Sequence, residues 1–349
     1  MTGARPFSLE PQVRLSDVPV TGSASWESID AVASQWLGQP CLVLPSVRIG
    51  MGWALEARGF RRHRDHVLVP RFVGRCILNS VGRHALPVEE PTAKTRLAVV
   101  VDQYGLRQDL KSLVPEFTRR SWVFLEDSPY GVGDDEPAAE GSLGRFIGLG
   151  KVLPVVQGGL LVSRDPQLLE HVRHRRQQTP WPWATGVWMT MLAFRIRARA
   201  ASYSPLADAA YELYDAIGGG SRLIRRNIRR VFREIDHHVA EYASRFSAVT
   251  AALGGAVALP DLRRLAYVVP YLAGDRLDRA SAVFWKHGFD AGVFHVDVAR
   301  NMLAPRYEKS LLLPLNPRIA RHHFDALLAG LHELGTARAP APFGNDIHQ

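Results

Sequence analysis

From Phe146 to Val162 the chain reads Phe-Ile-Gly-Leu-Gly-Lys-Val-Leu-Pro-Val-Val-Gln-Gly-Gly-Leu-Leu-Val, an apolar run whose single charge is Lys151. Of the 43 lysines and arginines in the sequence, only Lys94, Lys111, Lys151, Lys286 and Lys309 are lysines. An arginine cannot lose its proton in a protein, whereas a desolvated lysine can, and it then acts as a nucleophile or forms a Schiff base. The same residue could instead lay its stem across apolar surface with its head in water. Further groups with chemistry lie upstream, at Ser46 and Arg48, Asp102, Glu126 and Asp127. Ser46-Val47-Arg48 opens a helix-like stretch, where free backbone N–H groups and a guanidinium would form an anion cradle. A plain helix cap is the other reading of that serine.

A sheet must position these groups, because the acids end apolar runs. Pro40–Pro45, His66–Pro70, Leu97–Asp102 and Ser121–Asp127 are near-continuous hydrophobic stretches separated by helix-length connections. That is the pattern of buried parallel strands in an α/β fold. Acids at the carboxyl ends of such strands sit where open parallel sheets place their ligand sites. Helices are expected over Glu27–Trp36 and from Ser46 to a stop at Gly59. Residues 166–250 read as helical and rich in arginine, with Trp181, Trp183 and Trp188 and a break at Gly218-Gly219-Gly220. Strand-like Leu265–Pro270, Gly292–Val296 and Leu311–Leu315 then alternate with helix-like Arg276–His287 and Ile319–Leu334. The organisation is therefore an N-terminal arm and helix (1–39), a large α/β domain (40–250), a small C-terminal α/β domain (251–335) and an Ala/Pro-rich tail (336–349), expected to be disordered.

At 349 residues, 46% hydrophobic and 22% charged, the chain can bury a substantial core. Its net charge of +9 gathers in Arg58–Arg64, His171–Arg176 and Arg222–Arg230. No aromatic-interleaved motif accompanies these clusters, so they read as solvated arginine-rich helix faces and no specific nucleic-acid partner is expected. The longest apolar candidate for a membrane span, Trp181–Phe194, is shorter than the roughly 18 residues a span requires. The N-terminus lacks the apolar segment of a signal peptide. Cys41 and Cys76 have neither metal spacing nor a framework count, which fits a reducing compartment. A soluble, cytoplasmic protein is expected. His237-His238 and His322-His323 would point in different directions on a helix, so no metal site is expected.

Several of these stretches occur together in a known order. Leu44–Met51, Val69-Pro70-Arg71-Phe72, Asp102-Gln103-Tyr104-Gly105, Glu126–Gly133, Gly148-Leu149-Gly150-Lys151 and Gly158–Val162 resemble the DegT/DnrJ/EryC1/StrS family, as does the ending Ser310–Pro317 followed by a helix. The resemblance covers about residues 40–334 and is weakest between 166 and 250. These are pyridoxal-phosphate (PLP) enzymes, mostly sugar aminotransferases. It implies the PLP-transferase fold type I, with a large mainly parallel α/β domain and a small C-terminal α/β domain. It implies pyridoxal 5'-phosphate as cofactor, held as an internal aldimine by Lys151, which then shuttles the proton between Cα and C4′. Asp127 matches the acid beside the pyridine nitrogen, Phe72 lies near the position of a ring-stacking aromatic, and Ser46, Val47 and Arg48 match the phosphate-contacting turn.

Four departures stand out. Tyr130 replaces the glutamine that contacts the phenolic oxygen, a hydrogen bond that a phenol could also donate. Phe146 replaces a serine that binds phosphate, and the segment between Gly144 and Phe146 is shortened. The Gly-Tyr-Asn-Tyr-Arg-Met stretch that completes the neighbouring site in a dimer is not found, and the Trp-rich region 181–194 stands in its place. The expected activity is amino transfer from an amino-acid donor to a keto-sugar, nucleotide-linked sugars included, or to another small carbonyl compound, by a homodimer. Dehydration, elimination or condensation with the same cofactor, and a non-catalytic paralogue acting as a binding partner, are the alternatives.

Overall fold

Helix caps and apolar runs set the order of elements in the computed structural model, which describes residues 14, 17, 24–132, 137–178, 181–197, 205–217, 222–253, 268–271, 274–289 and 292–335. α1 (Trp26–Leu37) begins at Ser25, whose side chain accepts from the Ser28 N–H, and stops at Gly38 in the left-handed region at φ 66°. β1 (Leu42–Leu44) feeds α2 (Val47–Ala57), which Ser46 caps by accepting the Ile49 N–H at 3.1 Å. Then come β2 (His66–Leu68), α3 (Arg75–Gly82), β3 (Leu86–Val88), β4 (Thr95–Val101), α4 (Leu110–Arg119), β5 (Val123–Ser128), β6 (Ser142–Gly148) and β7 (Gly159–Val162). The helical stretch follows as α5 (Pro166–Gln177), α6 (Trp181–Arg197), α7 (Pro205–Ile217), α8 (Arg222–Arg233) and α9 (Ile235–Ala252). The chain closes with β8 (Val268–Tyr271), α10 (Leu277–Lys286), β9 (Val293–Asp297), β10 (Tyr307–Pro314) and α11 (Arg321–Gly335). The expected arm up to residue 23, apart from Arg14 and Asp17, the break at 218–220 and the tail from 336 lie outside the described residues.

The first seven strands form one sheet in the order β1-β7-β6-β5-β4-β2-β3. β2, β3, β4, β5 and β6 pair in parallel, while β7 runs antiparallel to both β6 and β1. This is the mainly parallel α/β sheet expected from the apolar runs. Alternate residues of β4 enter different cores: Leu97, Val99 and Val101 one cluster, Ala98 and Val100 the other. The two-residue strand period requires this when both faces are covered. The sequence gives no run at β3, a three-residue edge strand with Pro87 in the middle and Leu86 exposed, where an edge position tolerates a missing donor.

β8, β10 and β9 form a separate antiparallel sheet in that order. Gln103 joins it to the large sheet: its Nε2 donates to Arg71 O at 3.4 Å and its Oε1 accepts from Asp297 N–H at 3.0 Å. The basic clusters are not uniformly solvated. Arg61, Arg62 and Arg64 are exposed, but Arg176 is buried and forks onto Asp30 at 2.7 and 2.8 Å while donating to Val43 O. Among the described residues no helix is long and apolar enough to cross a membrane.

Candidate active site

The carboxyl ends of β4, β5 and β6 and the N-terminus of α2 meet along one edge of the large sheet. Asp127 sits near the end of β5, in register with Val101 of β4 and Phe146 of β6. Only 3% of it is exposed, and its Oδ1 has no hydrogen-bond partner among the described residues. Burial pushes its carboxyl up from 3.8 to about 7; the Lys151 ammonium opposes the rise and the Asp102 carboxylate adds to it. Asp102 is itself well held, accepting from Ser128 Oγ at 2.7 Å and from Gln108 N–H at 3.3 Å. Glu126 points to the other face, where it accepts the Ala139 N–H at 2.8 Å and burial raises its carboxyl.

Lys151 lies in the loop between β6 and β7. Leu149, Val152, Leu153, Val155 and Val156 bury around it, which explains why so apolar a run is a loop and not a strand. Two helices pin that loop from behind. Asn227 of α8 accepts the Val156 N–H at 3.2 Å and donates to Asp17 O at 2.8 Å, and Tyr242 of α9 donates to Val152 O at 2.7 Å. Lys151 is half-buried, and its Nζ donates to the Tyr130 hydroxyl at 3.1 Å. The Tyr130 ring lies nearly parallel to that of Tyr104, with centroids 6.3 Å apart. Burial raises the Tyr104 phenol, with the Lys151 charge opposing.

A cleft of about 510 Å³ opens here, lined by Ser46, Val47, Arg48, Asp127, Gly148, Lys151 and Gly158 from the sheet edge and by Arg75, Cys76, Asn79, Tyr211 and Glu212 from α3 and α7. The structure thus gathers Ser46, Val47, Arg48, Asp127 and Lys151 on one cleft, with Tyr130 touching the lysine. Ser46 is the cap of α2, and Arg48 pairs with Asp215 of α7 at 2.7 Å. The close approach of β7 to this turn needs a glycine: a Cβ on Gly159 would lie 3.0 Å from the Val47 nitrogen and 2.8 Å from its Cγ2. Phe146 is fully buried in the core. Phe72 is not among the cleft-lining residues; at φ 58° and 45% exposed, its ring stacks on His295 of β9 at 4.2 Å. None of the described side chains of the Trp-rich α6 lines the cleft, and Trp188 is buried.

No sequence pattern marks the contributions of α3 and α7. Glu212 accepts from Asn79 Nδ2 and pairs with Arg83 at 2.5 Å. Nothing local marks these residues, since each acquires its role only when α3 and α7 pack against α2.

Compared by sequence, no protein-family model and no curated protein matches the chain. Compared by structure, it is similar to Helicobacter pylori PseC, an aminotransferase involved in the biosynthesis of pseudoaminic acid, with a TM-score of 0.63 and 13% identity over 96% of this chain and 100% of that one. A DegT DnrJ EryC1 StrS aminotransferase from Brucella abortus gives a TM-score of 0.58 and 14% identity, over 88% of this chain and 90% of that one. NtdA from Bacillus subtilis with bound cofactor PMP gives 0.54 and 15%, over 90% and 78%. The chain has the α/β fold of the PLP-dependent aminotransferases, and the solved structures it is similar to include DegT/DnrJ/EryC1/StrS-type enzymes.

Proposed function

We propose that this chain is a PLP-dependent aminotransferase that moves an amino group from an amino-acid donor to a keto-sugar, nucleotide-linked sugars included, or to another small carbonyl compound. One observation carries the reading: a buried acid with an unpartnered oxygen, Asp127, shares a cleft with the half-buried amine of Lys151. A carboxylate in that setting needs a cationic donor, and a protonated pyridine nitrogen is one. The amine suits a carbonyl carbon. The first turn of α2 and Arg48 offer donors for a phosphate, while Phe146 offers none. The residues present therefore suit the cofactor, with Ser46, Val47 and Arg48 at its phosphate, Asp127 at its ring nitrogen and Lys151 at its aldehyde.

When bound, pyridoxal phosphate supplies a ring that accepts the electrons left as a bond to Cα breaks. This chain's residues do the rest. Asp127 keeps a positive charge in place at the ring nitrogen, and Lys151 carries a proton on Nζ. The Tyr130 hydroxyl, 3.1 Å from that nitrogen, holds the amine on the cleft wall. The buried side chains of the 149–158 loop keep water from the amine's flank.

Borohydride reduction with pyridoxal phosphate, followed by peptide mapping, is expected to label Lys151 and to label nothing in Lys151→Ala. Label on another lysine, or none, would refute the assignment. Adding glutamate is expected to convert the bound cofactor to its amine form; a dehydratase or elimination enzyme would not do so. The aminotransferase of pseudoaminic acid biosynthesis among the similar structures supports the substrate class. In this reading the chain works in the cytoplasm as a homodimer. Leu78 and Leu213, each next to a cleft-lining residue, are 36% and 52% exposed and open for a second copy to cover. Sedimentation at micromolar concentration is expected to give twice the chain mass.

A further inference from the structure

Arg48 enters the cleft from the first turn of α2 with an anionic partner already in place. Its Nε lies 2.7 Å from Asp215 Oδ2, and the Tyr211 ring, one turn earlier on α7, lies 4.9 Å from its guanidinium carbon. Both charges are shielded, with 17% of the arginine side chain and 4% of the aspartate side chain exposed. The pair is incompletely satisfied: it is an ion contact, and Arg48 Nε and Nη2 and Asp215 Oδ1 are all buried without an aligned hydrogen-bond partner. A guanidinium and a carboxylate frequently form a two-bond fork, which this pair does not. A pair that leaves a donor over is suited to a third, anionic group. Arg48 lines the cleft beside Lys151 and Asp127, whereas Asp215 is not among the lining residues.

We propose that Asp215 is a positioning residue for Arg48, the cleft's oxyanion donor: it fixes the guanidinium and, through its charge, weakens its grip on phosphate. The proposal rests on the cofactor reading above only for the identity of the oxyanion, which is either the cofactor's phosphate or an anionic group of the substrate. Fixing and weakening act in opposite directions on affinity, and the isosteric amide separates them. Asp215→Asn keeps an oxygen beside Nε and removes the charge. A carboxylate some 7 Å from a bound oxyanion, at an effective dielectric of about 20, opposes binding by about tenfold or more.

Calorimetric titration of the full chain with inorganic phosphate, pyridoxal phosphate and pyridoxal tests this. Asp215→Asn is expected to bind inorganic phosphate about tenfold tighter than the unchanged chain. Arg48→Lys, which keeps the charge but loses the planar guanidinium, is expected to bind it about tenfold weaker. A gain shared by pyridoxal phosphate but not pyridoxal assigns the subsite to the cofactor; a gain seen with inorganic phosphate alone assigns it to a substrate anion. Phosphate affinity that is unchanged or weaker in folded Asp215→Asn overturns the proposal, even if the melting temperature moves. Should Asp215→Asn fail to fold, unchanged phosphate affinity in Arg48→Lys overturns it. Failure to label Lys151 with these phosphate results intact would sink the cofactor reading and leave this one standing.

Discussion

Asp127 is a carboxyl group placed where it cannot comfortably ionise until a cation arrives. In the unfolded chain it loses its proton near 3.8, and in the folded chain near 7. The folded state therefore holds a proton that the unfolded state has released, and the stability this group contributes falls as pH rises from about 4 to 7. The full shift corresponds to at most about 4 kcal/mol. Asp127→Asn is expected to flatten that loss: without cofactor the variant unfolds at higher urea than the unchanged chain at pH 8 and at similar urea at pH 4. The same change is expected to lower kcat by at least about a hundredfold, since the ring nitrogen loses its anion. Asp127 and Lys151 were legible in the sequence because each breaks a pattern, an acid at the end of an apolar strand and a lone charge in an apolar run. Ser46, Val47 and Arg48 were legible as a helix start. The resemblance puts Phe72 near a cofactor ring, whereas here the ring stacks on His295, because the sequence cannot say which of two neighbouring surfaces an aromatic at a loop edge will meet.

The Lys151 loop is an element whose conformation is imposed by other elements. A stretch from Phe146 to Val162 with so many branched apolar residues has the composition of a strand, yet β6 stops at Gly148 and β7 starts at Gly159. Between them Asn227 and Tyr242 hold backbone groups that no strand neighbour takes up. Asn227 is fully buried, so Asn227→Ala removes both an acceptor and a donor from the interior and is expected to destabilise the chain by about 1–3 kcal/mol. Cofactor retention on dialysis is expected to fall with it, because the loop carries Lys151. If urea unfolding of Asn227→Ala matches the unchanged chain, α8 does not hold the loop.

Across the whole molecule, one hydrophobic cluster runs from Leu125 in the large sheet to Leu312 in the small sheet. Gln103, from the Asp102–Gly105 stretch singled out in the sequence, adds a hydrogen-bonded link between the two. Calorimetry is expected to show one cooperative transition, and Gln103→Ala to lower its midpoint by the equivalent of about 1–3 kcal/mol, since the buried Asp297 N–H loses its acceptor. Two resolved transitions would show that the sheets unfold independently.

Hydrophobic periodicity, strand ends and helix starts are local properties, so the sequence by itself determined the mainly parallel α/β sheet, the helices on either side of it and the edge on which Lys151 and Asp127 had to lie. Which partners face that edge is not local. The Arg48–Asp215 pair, the Glu212 contacts and the Asn227 and Tyr242 anchors each join residues from 71 to 167 positions apart only once the chain has closed on itself. Only the tertiary structure decided these, because a side chain's charge and hydrogen bonds are satisfied by whatever packing brings within about 3 Å, and no spacing along the chain records that choice.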